Sequence, residues 1–110
     1  HARELWQRDL AKVFADVDII LSPTLPTLIP PVEEEKSLLE ATKDATRNTY
    51  AGAFGKLPGL SIPCGFTSDG LPAGLQLEAS WWNEPLLLKV GAAFQRVTNW
   101  HTYKPKMARI

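Results

Sequence analysis

Four prolines fall between residues 22 and 36, at Pro23, Pro26, Pro30 and Pro31. Each removes a backbone donor and fixes φ, so this stretch can be neither helix interior nor central strand. A stiff, extended loop is expected, with no domain boundary. Before it, Trp6, Leu10, Val13, Phe14 and Val17 lie on one stripe of a 3.6-residue helix. The β-branched run Val17-Asp18-Ile19-Ile20-Leu21 follows and is stopped by Ser22-Pro23. Its apolar residues are too continuous for a half-exposed strand, which predicts a buried, parallel one.

Beyond the loop, the acidic run Glu33-Glu34-Glu35 precedes Ser37-Leu38-Leu39-Glu40, which has the form of a capping box. A second helix is predicted from there to about Phe54, with Ala41, Ala45 and Gly52 allowing another element to approach closely. Gly59 and Pro63 bracket Leu60-Ser61-Ile62 as a strand, and Asp69-Gly70 favours a tight turn with positive φ. An antiparallel strand over residues 73–79 should return from it, with Leu75 and Leu77 on a dry face and Gln76 and Glu78 on a polar one. Asn83 is expected to cap a last helix with Glu84 and Pro85 in its first turn and Leu87, Val90, Phe94 and Val97 as its inner stripe. Gly91 should cost that helix about 1 kcal/mol relative to Ala. Residues 102–110 have no periodicity and are expected to fray. The fold class is α/β: a small mixed sheet of about three strands with three covering helices, in a single domain over residues 1–110.

Composition narrows the function. Twelve Lys plus Arg balance twelve Asp plus Glu, which argues against a nucleic-acid backbone binder. The chain is 45% hydrophobic and 9% aromatic, so it should fold rather than remain disordered. Its single Cys excludes an internal disulfide and a Cys-based zinc site and points to a reducing compartment. No apolar run nears the ~18 residues that cross a bilayer, and the first residues are not a signal peptide; the expectation is a cytoplasmic protein without a membrane partner. Because it opens with His1 and enters a helical pattern at once, the numbering is expected to describe a piece of a longer chain.

Few residues are arranged for chemistry. Ser22, Ser37, Ser61, Ser68 and Ser80 lack a Gly-x-Ser-x-Gly elbow, and structural roles are expected for all. Cys64 and His101 form the one possible thiol and imidazole pair; a packed thiol and a helix-end imidazole are the plainer readings. No His-x₃-His or Cys-x₂-Cys spacing supports a metal. Pro23-Thr24-Leu25-Pro26 matches Pro-x-x-Pro, but after a buried strand it reads as loop wall. Trp81 and Trp82 cannot both face one way on an extended segment, so one should remain uncovered and mark a missing neighbour.

Taken in order, these segments resemble the C-terminal part of the amidase signature family. The densest match is Leu57-Pro58-Gly59-Leu60-Ser61-Ile62-Pro63-Cys64-Gly65-Phe66 with Asp69-Gly70-Leu71-Pro72-Ala73-Gly74-Leu75-Gln76-Leu77. Asp18-Ile19-Ile20-Leu21-Ser22-Pro23-Thr24 and Thr46-Arg47 are similar to the family's upstream pattern, and Ala93-Phe94-Gln95-Arg96 to its closing helix. The resemblance implies hydrolysis or transfer of carboxamide nitrogen by a Ser, a second Ser in a cis peptide and a Lys, with no metal or organic cofactor. No stretch of this sequence resembles the Gly- and Ser-rich segment that bears that triad, so no catalytic residue is assigned and the chain alone is expected to be inert. It should supply scaffold and one side of the substrate funnel, with Thr24, Pro26, Pro63, Cys64, Gly65 and Phe66 as pocket-wall candidates. Its implied partners are the remaining part of the amidase or a second copy of itself, with a small amide bound only in the complete enzyme. The other reading is a non-enzymatic interaction module derived from an amidase.

Two departures stand out. Ala53 and Lys56 occupy positions where relatives often have Asn and Gly, and Lys56 is expected to exclude positive φ at low cost. Ala79-Ser80-Trp81-Trp82 replaces a more usual Gly-containing turn.

Overall fold

The computed structural model describes residues 1–27 and 37–107. Helix α1, Ala2–Asp16, leads to strand β1, Ile20–Pro23; helix α2, Leu38–Phe54, is followed by β2, Gly59–Phe66, β3, Pro72–Glu78, and helix α3, Glu84–Val97, with a closing 3₁₀ turn at Trp100–Thr102. The acidic run 33–35 and most of the Pro-rich loop lie outside the described residues.

The three strands stand in the order β1-β3-β2, and both pairings are antiparallel. The expectation of a parallel first strand in a mixed sheet is therefore corrected. β1 and β2 do run the same way, but β3 returns between them and takes both sets of hydrogen bonds. β1 also begins at Ile20 rather than Val17, and alternates between half-buried and exposed positions. It is an edge strand, which is why Pro23 is accepted in it, and β2 accepts Pro63 for the same reason.

The register sorts the residues by face. Leu21, Leu77 and Leu60 are level across the sheet, as are Pro23, Leu75 and Ile62. α3 covers the β2–β3 side of this face: Ile62, Leu77, Ala79 and Leu87 form the buried core, with Ile19, Leu60, Leu75, Val90 and Phe94 packed against it. Gly91 has a packing reason, since a Cβ there would lie 2.9 Å from Leu60 Cδ2. Val97 does not complete the inner stripe; it is 81% exposed. Asn83 holds the N-cap position without a side-chain capping bond.

The opposite face carries Ser22, Gln76 and Ser61 on one level and Ile20, Glu78 and Gly59 on the next. α2 lies over it, started by Ser37, whose Oγ accepts from the Glu40 N–H at 3.2 Å. Gln76 Nε2 donates to the Asn48 carbonyl at 2.8 Å and Asn48 Nδ2 to the Pro23 carbonyl at 3.0 Å. A Cβ on Gly52 would overlap the Glu78 carboxylate, so the close approach expected of the small residues occurs at that glycine.

The end of α2 is fully satisfied. Leu57 N–H reaches the Gly52 carbonyl and Lys56 N–H the Ala53 carbonyl, the paired bonds of a Schellman motif. The next carbonyls accept from side chains: Phe54 from Arg3 Nε at 3.0 Å, and Gly55 from Gln7 Nε2 at 3.1 Å and Trp81 Nε1 at 2.8 Å. Trp6 Nε1 donates to Ala51 at 2.8 Å. Residues 3, 6, 7 and 10 share one face of α1, so docking that face buries Leu10 and answers carbonyls the helix cannot satisfy itself.

Lys56 has φ 60 and Trp82 φ 66, the non-glycine residues with positive φ among the described residues. The expectation that Lys56 would leave this region is overturned, because the Schellman geometry requires a left-handed residue there whatever its side chain. Lys56→Gly is therefore expected to stabilise the chain by about 0.5–1 kcal/mol, the strain removed exceeding the added freedom of the unfolded chain. The urea midpoint should rise at unchanged slope; an unchanged or lower midpoint would contradict this.

The tail is more ordered than its lack of periodicity suggests. Trp100 and Tyr103 stack with centroids 5.8 Å apart, and both meet the Phe66 ring edge-on, at 6.1 and 5.3 Å. The turn Trp100–Thr102 is thereby fastened to the end of β2. Residues 108–110 lie outside the described residues.

Candidate functional site

Where β1 runs out, Thr24 continues the ladder for one more bond, its N–H donating to the Gly74 carbonyl at 3.0 Å. This sets the Thr24 side chain on the polar face beside Ser61 of β2, and the two hydroxyl oxygens lie 2.6 Å apart. Gly74 lies between them on β3, where a Cβ would come within 2.8 Å of Thr24 Oγ1 and 3.0 Å of Ser61 Oγ. Glycine is required here by space, not by backbone angle. The pair floors an open groove of about 350 Å³ lined by Thr24, Leu25, Ser61, Ile62, Pro63, Pro72, Ala73 and Gly74. A neighbouring groove of about 390 Å³ shares Leu25, Pro72, Ala73 and Gly74 and adds Pro26.

Of the six wall candidates, Thr24 and Pro63 line the first groove and Pro26 the second. Cys64, Gly65 and Phe66 line neither. Cys64 is the extra residue of a bulge, since Pro63 pairs with Gly74 and Gly65 with Ala73, and its Sγ donates to the Ala73 carbonyl at 3.6 Å. Gly65, with φ 142, faces the Trp100 ring, and Phe66 belongs to the aromatic cluster. Ser61, Gly74 and Ala73 were missed. The available signal was alternation: Ser61-x-Pro63 sits level with Gly74-x-Gln76 once the hairpin register is drawn.

No serine of the groove has a base. Ser61 is bonded to Thr24, and no hydrogen bond joins Cys64 to His101 among the described residues. No group of three His, Cys, Asp or Glu side chains is close enough to hold a metal ion among the described residues. No described helix is long and apolar enough to cross a membrane.

The fold moves the proton affinity of Glu78. Burial beside α2 raises its pKa above the ordinary carboxyl value, and the hydrogen bond with Gln76 pulls it part of the way back. The folded chain thus holds this proton more tightly than the unfolded chain, which ionises at the lower, ordinary value. Below both values the group costs nothing; as pH rises from near 4.5 through the raised value, stability is lost, and it stays lost at neutral pH. Glu78→Gln keeps the size and removes the charge. Its urea midpoint should match the parent's near pH 4 and exceed it at pH 7; equal midpoints at pH 7 would contradict this.

The Amidase family model matches residues 1–88. The chain belongs to the amidase family. It is 43% identical over 107 residues to a glutamyl-tRNA(Gln) amidotransferase subunit of Chloroflexus aggregans (strain MD-66 / DSM 9485), covering 97% of this chain and 22% of that relative. The same-named protein of Thiobacillus denitrificans (strain ATCC 25259 / T1) is 40% identical over 105 residues, covering 94% of this chain and 21% of its own length. The chain therefore spans about a fifth of the length of these curated relatives. A 6-aminohexanoate cyclic dimer hydrolase structure superposes with TM-score 0.85 over 94% of this chain and 24% of its own, at 23% identity, which speaks for the fold alone. An allophanate hydrolase of Kluyveromyces lactis gives TM-score 0.77 at 28% identity over 87% of this chain and 16% of its own. This amidase-family segment is thus an α/β piece whose helices and antiparallel sheet recur within larger enzymes.

Proposed function

We propose that these residues are the C-terminal portion of an amidase that hydrolyses carboxamide C–N bonds, in which they provide scaffold and a wall of the substrate funnel. The observation that carries this reading is the family match across residues 1–88. In the complete enzyme a Lys relays a proton through a cis-peptide Ser, a second Ser attacks the amide carbon, backbone amides hold the oxyanion, and water releases the acid. None of those groups has a number here. The wall is formed by Thr24 and Pro63 with Ser61, with Pro26 beyond them; Cys64, Gly65 and Phe66 support it from the bulged end of β2. The partner is the remaining part of the amidase, the small amide binds only in the complete enzyme, and a single Cys fits the reducing cytoplasm.

The isolated chain should release no ammonia from simple amides above the buffer rate. Robust turnover by a preparation free of contaminating amidase would overturn the proposal.

A second reading, a non-enzymatic module that pairs with a copy of itself, is favoured by Trp82, which is 90% exposed on a left-handed backbone. Sedimentation as a monomer at all concentrations would remove it.

A further inference from the structure

We infer that the outer edge of β2 is the surface through which this chain pairs with a second copy of itself, strand against strand in an antiparallel register centred on Ser61. The inference rests on the second, self-pairing reading above and names its surface; it does not need the amidase reading.

Register and two bonds fix where the backbone groups point. Ala79 N–H donates to the Pro58 carbonyl, one step beyond the pairing of Gly59 with Glu78. Bonded pairs alternate along an antiparallel ladder. Leu60 with Leu77 and Ile62 with Leu75 therefore exchange the bonds, and Gly59, Ser61 and Pro63 turn their backbone groups away from β3. On the other side Thr24 N–H donates to the Gly74 carbonyl, so Ile20 and Ser22 bond to β3 while Leu21 and Pro23 point outward. The two outer edges differ. On β1, Pro23 has no N–H and its carbonyl accepts from Asn48 Nδ2, which leaves Leu21 to make bonds. On β2, Gly59 and Ser61 each present an N–H and a carbonyl and Pro63 presents a carbonyl. All three residues are exposed, and the strand carries no charged side chain to keep a neighbour away.

These groups are complementary to themselves. About a two-fold axis through Ser61, the two Ser61 residues exchange both bonds, and each Gly59 N–H meets the Pro63 carbonyl of the second copy, where proline offers an acceptor and no competing donor. Leu60 of one copy then stands level with Ile62 of the other on the apolar face, and Ser61 with Ser61 on the polar face, so like meets like across the junction. A pairing centred on Leu60 would overlap residues 59–61 alone. The bulge between Pro63 and Gly65 ends the ladder. An isologous contact uses the same edge of both copies, so the product is a closed pair and not an open series. A strand edge this short buries far less than the roughly 1,600 Å² of a standard interface, so the pair should be weak, with a Kd of about 0.1–1 mM.

The test is sedimentation of the chain from well below to well above that Kd, with ¹⁵N NMR over the same range. A monomer–dimer equilibrium is expected, in which the Gly59 and Ser61 amide resonances shift and their hydrogen exchange slows as the pair forms. Ser61→Pro removes the outward N–H and no bond to β3, and should remain a monomer throughout, with peak dispersion confirming the fold. Ser61→Ala loses the Thr24 hydroxyl contact but keeps that N–H, and should still pair. Pro63→Val supplies the missing donor and should tighten the pair by about tenfold. Leu21→Pro and Trp82→Ala should leave it unchanged. A monomer at every concentration would overturn both the inference and the self-pairing reading. Dissociation by Trp82→Ala with pairing kept in Ser61→Pro would overturn the inference and leave that reading standing. Loss of pairing in Ser61→Ala or Leu21→Pro, unaltered affinity in Pro63→Val, or growth beyond a dimer would each overturn it as well. So would slow Ser61 exchange in a complete amidase carrying this segment while the isolated chain stays monomeric, a result that gives the edge to the rest of the enzyme.

Discussion

Leu77→Ala is expected to cost about 2–5 kcal/mol, a large part of the roughly 5–15 kcal/mol by which a small domain is stable. Leu77 is 1% exposed near the end of the central strand, level with Leu21 on one side and Leu60 on the other, and packed in the cluster with Leu87. Truncation leaves a cavity that neither the sheet nor α3 can close without breaking the register. Denaturant unfolding followed by circular dichroism reads the loss. Val97→Ala, at the exposed end of α3, is the comparison and should stay within about 0.5 kcal/mol. A Leu77→Ala cost below that of Val97→Ala would contradict the placement of the core.

Gly55→Val is expected to be the next most damaging change, at about 3 kcal/mol or more. A Cβ at Gly55 would overlap Leu10 Cδ1 and come within 3.3 Å of Trp6 Cδ1 and Nε1. The remedy open to the chain is to lift α1 from the end of α2. That would leave carbonyls that now accept from Arg3, Trp6 and Gln7 to water, and expose both Leu10 and the Trp6 indole. Tryptophan emission should shift to the red along with the fall in urea midpoint. A stable variant with unshifted emission would show that α1 is not held at this point.

The signals that were legible in the sequence are the local ones. Ser37 and Glu40 mark the start of α2 because a cap is a three-residue event, and the hydrogen bond between them is present. Asp69-Gly70 marks the hairpin because positive φ at Gly70 is a property of the turn itself. Leu87, Val90 and Phe94 repeat at helical spacing and reach the core. What was not legible depends on partners distant in sequence. The apolar run before Pro23 suggested a buried parallel strand, and nothing in it could reveal that β3 would come between it and β2. Alternation showed Gln76 and Glu78 to be on a polar face but not that α2 would cover that face, leaving Gln76 6% exposed. Arg3, Trp6 and Gln7 looked like an ordinary helix surface because their acceptors lie 45–51 residues away. The groove was half visible for the same reason: Thr24 stands out in its proline setting, whereas Ser61 and Gly74 become neighbours of it through the sheet register alone. Lys56 shows a general motif overriding a residue preference, since the Schellman end of α2 fixes the backbone and the side chain accepts the strain.

On the proposed reading, these residues shape and support an amide site whose reactive groups lie in another part of the enzyme. A chain exchange tests this most directly: the matching fifth of the 43% identical relative is replaced by these residues, and ammonia release from an amide is measured beside the unaltered relative and the isolated chain. The expected result is turnover by the exchanged enzyme and none by the segment alone. A folded exchanged enzyme that is inert while the unaltered relative is active, or a segment that turns over by itself, would contradict it.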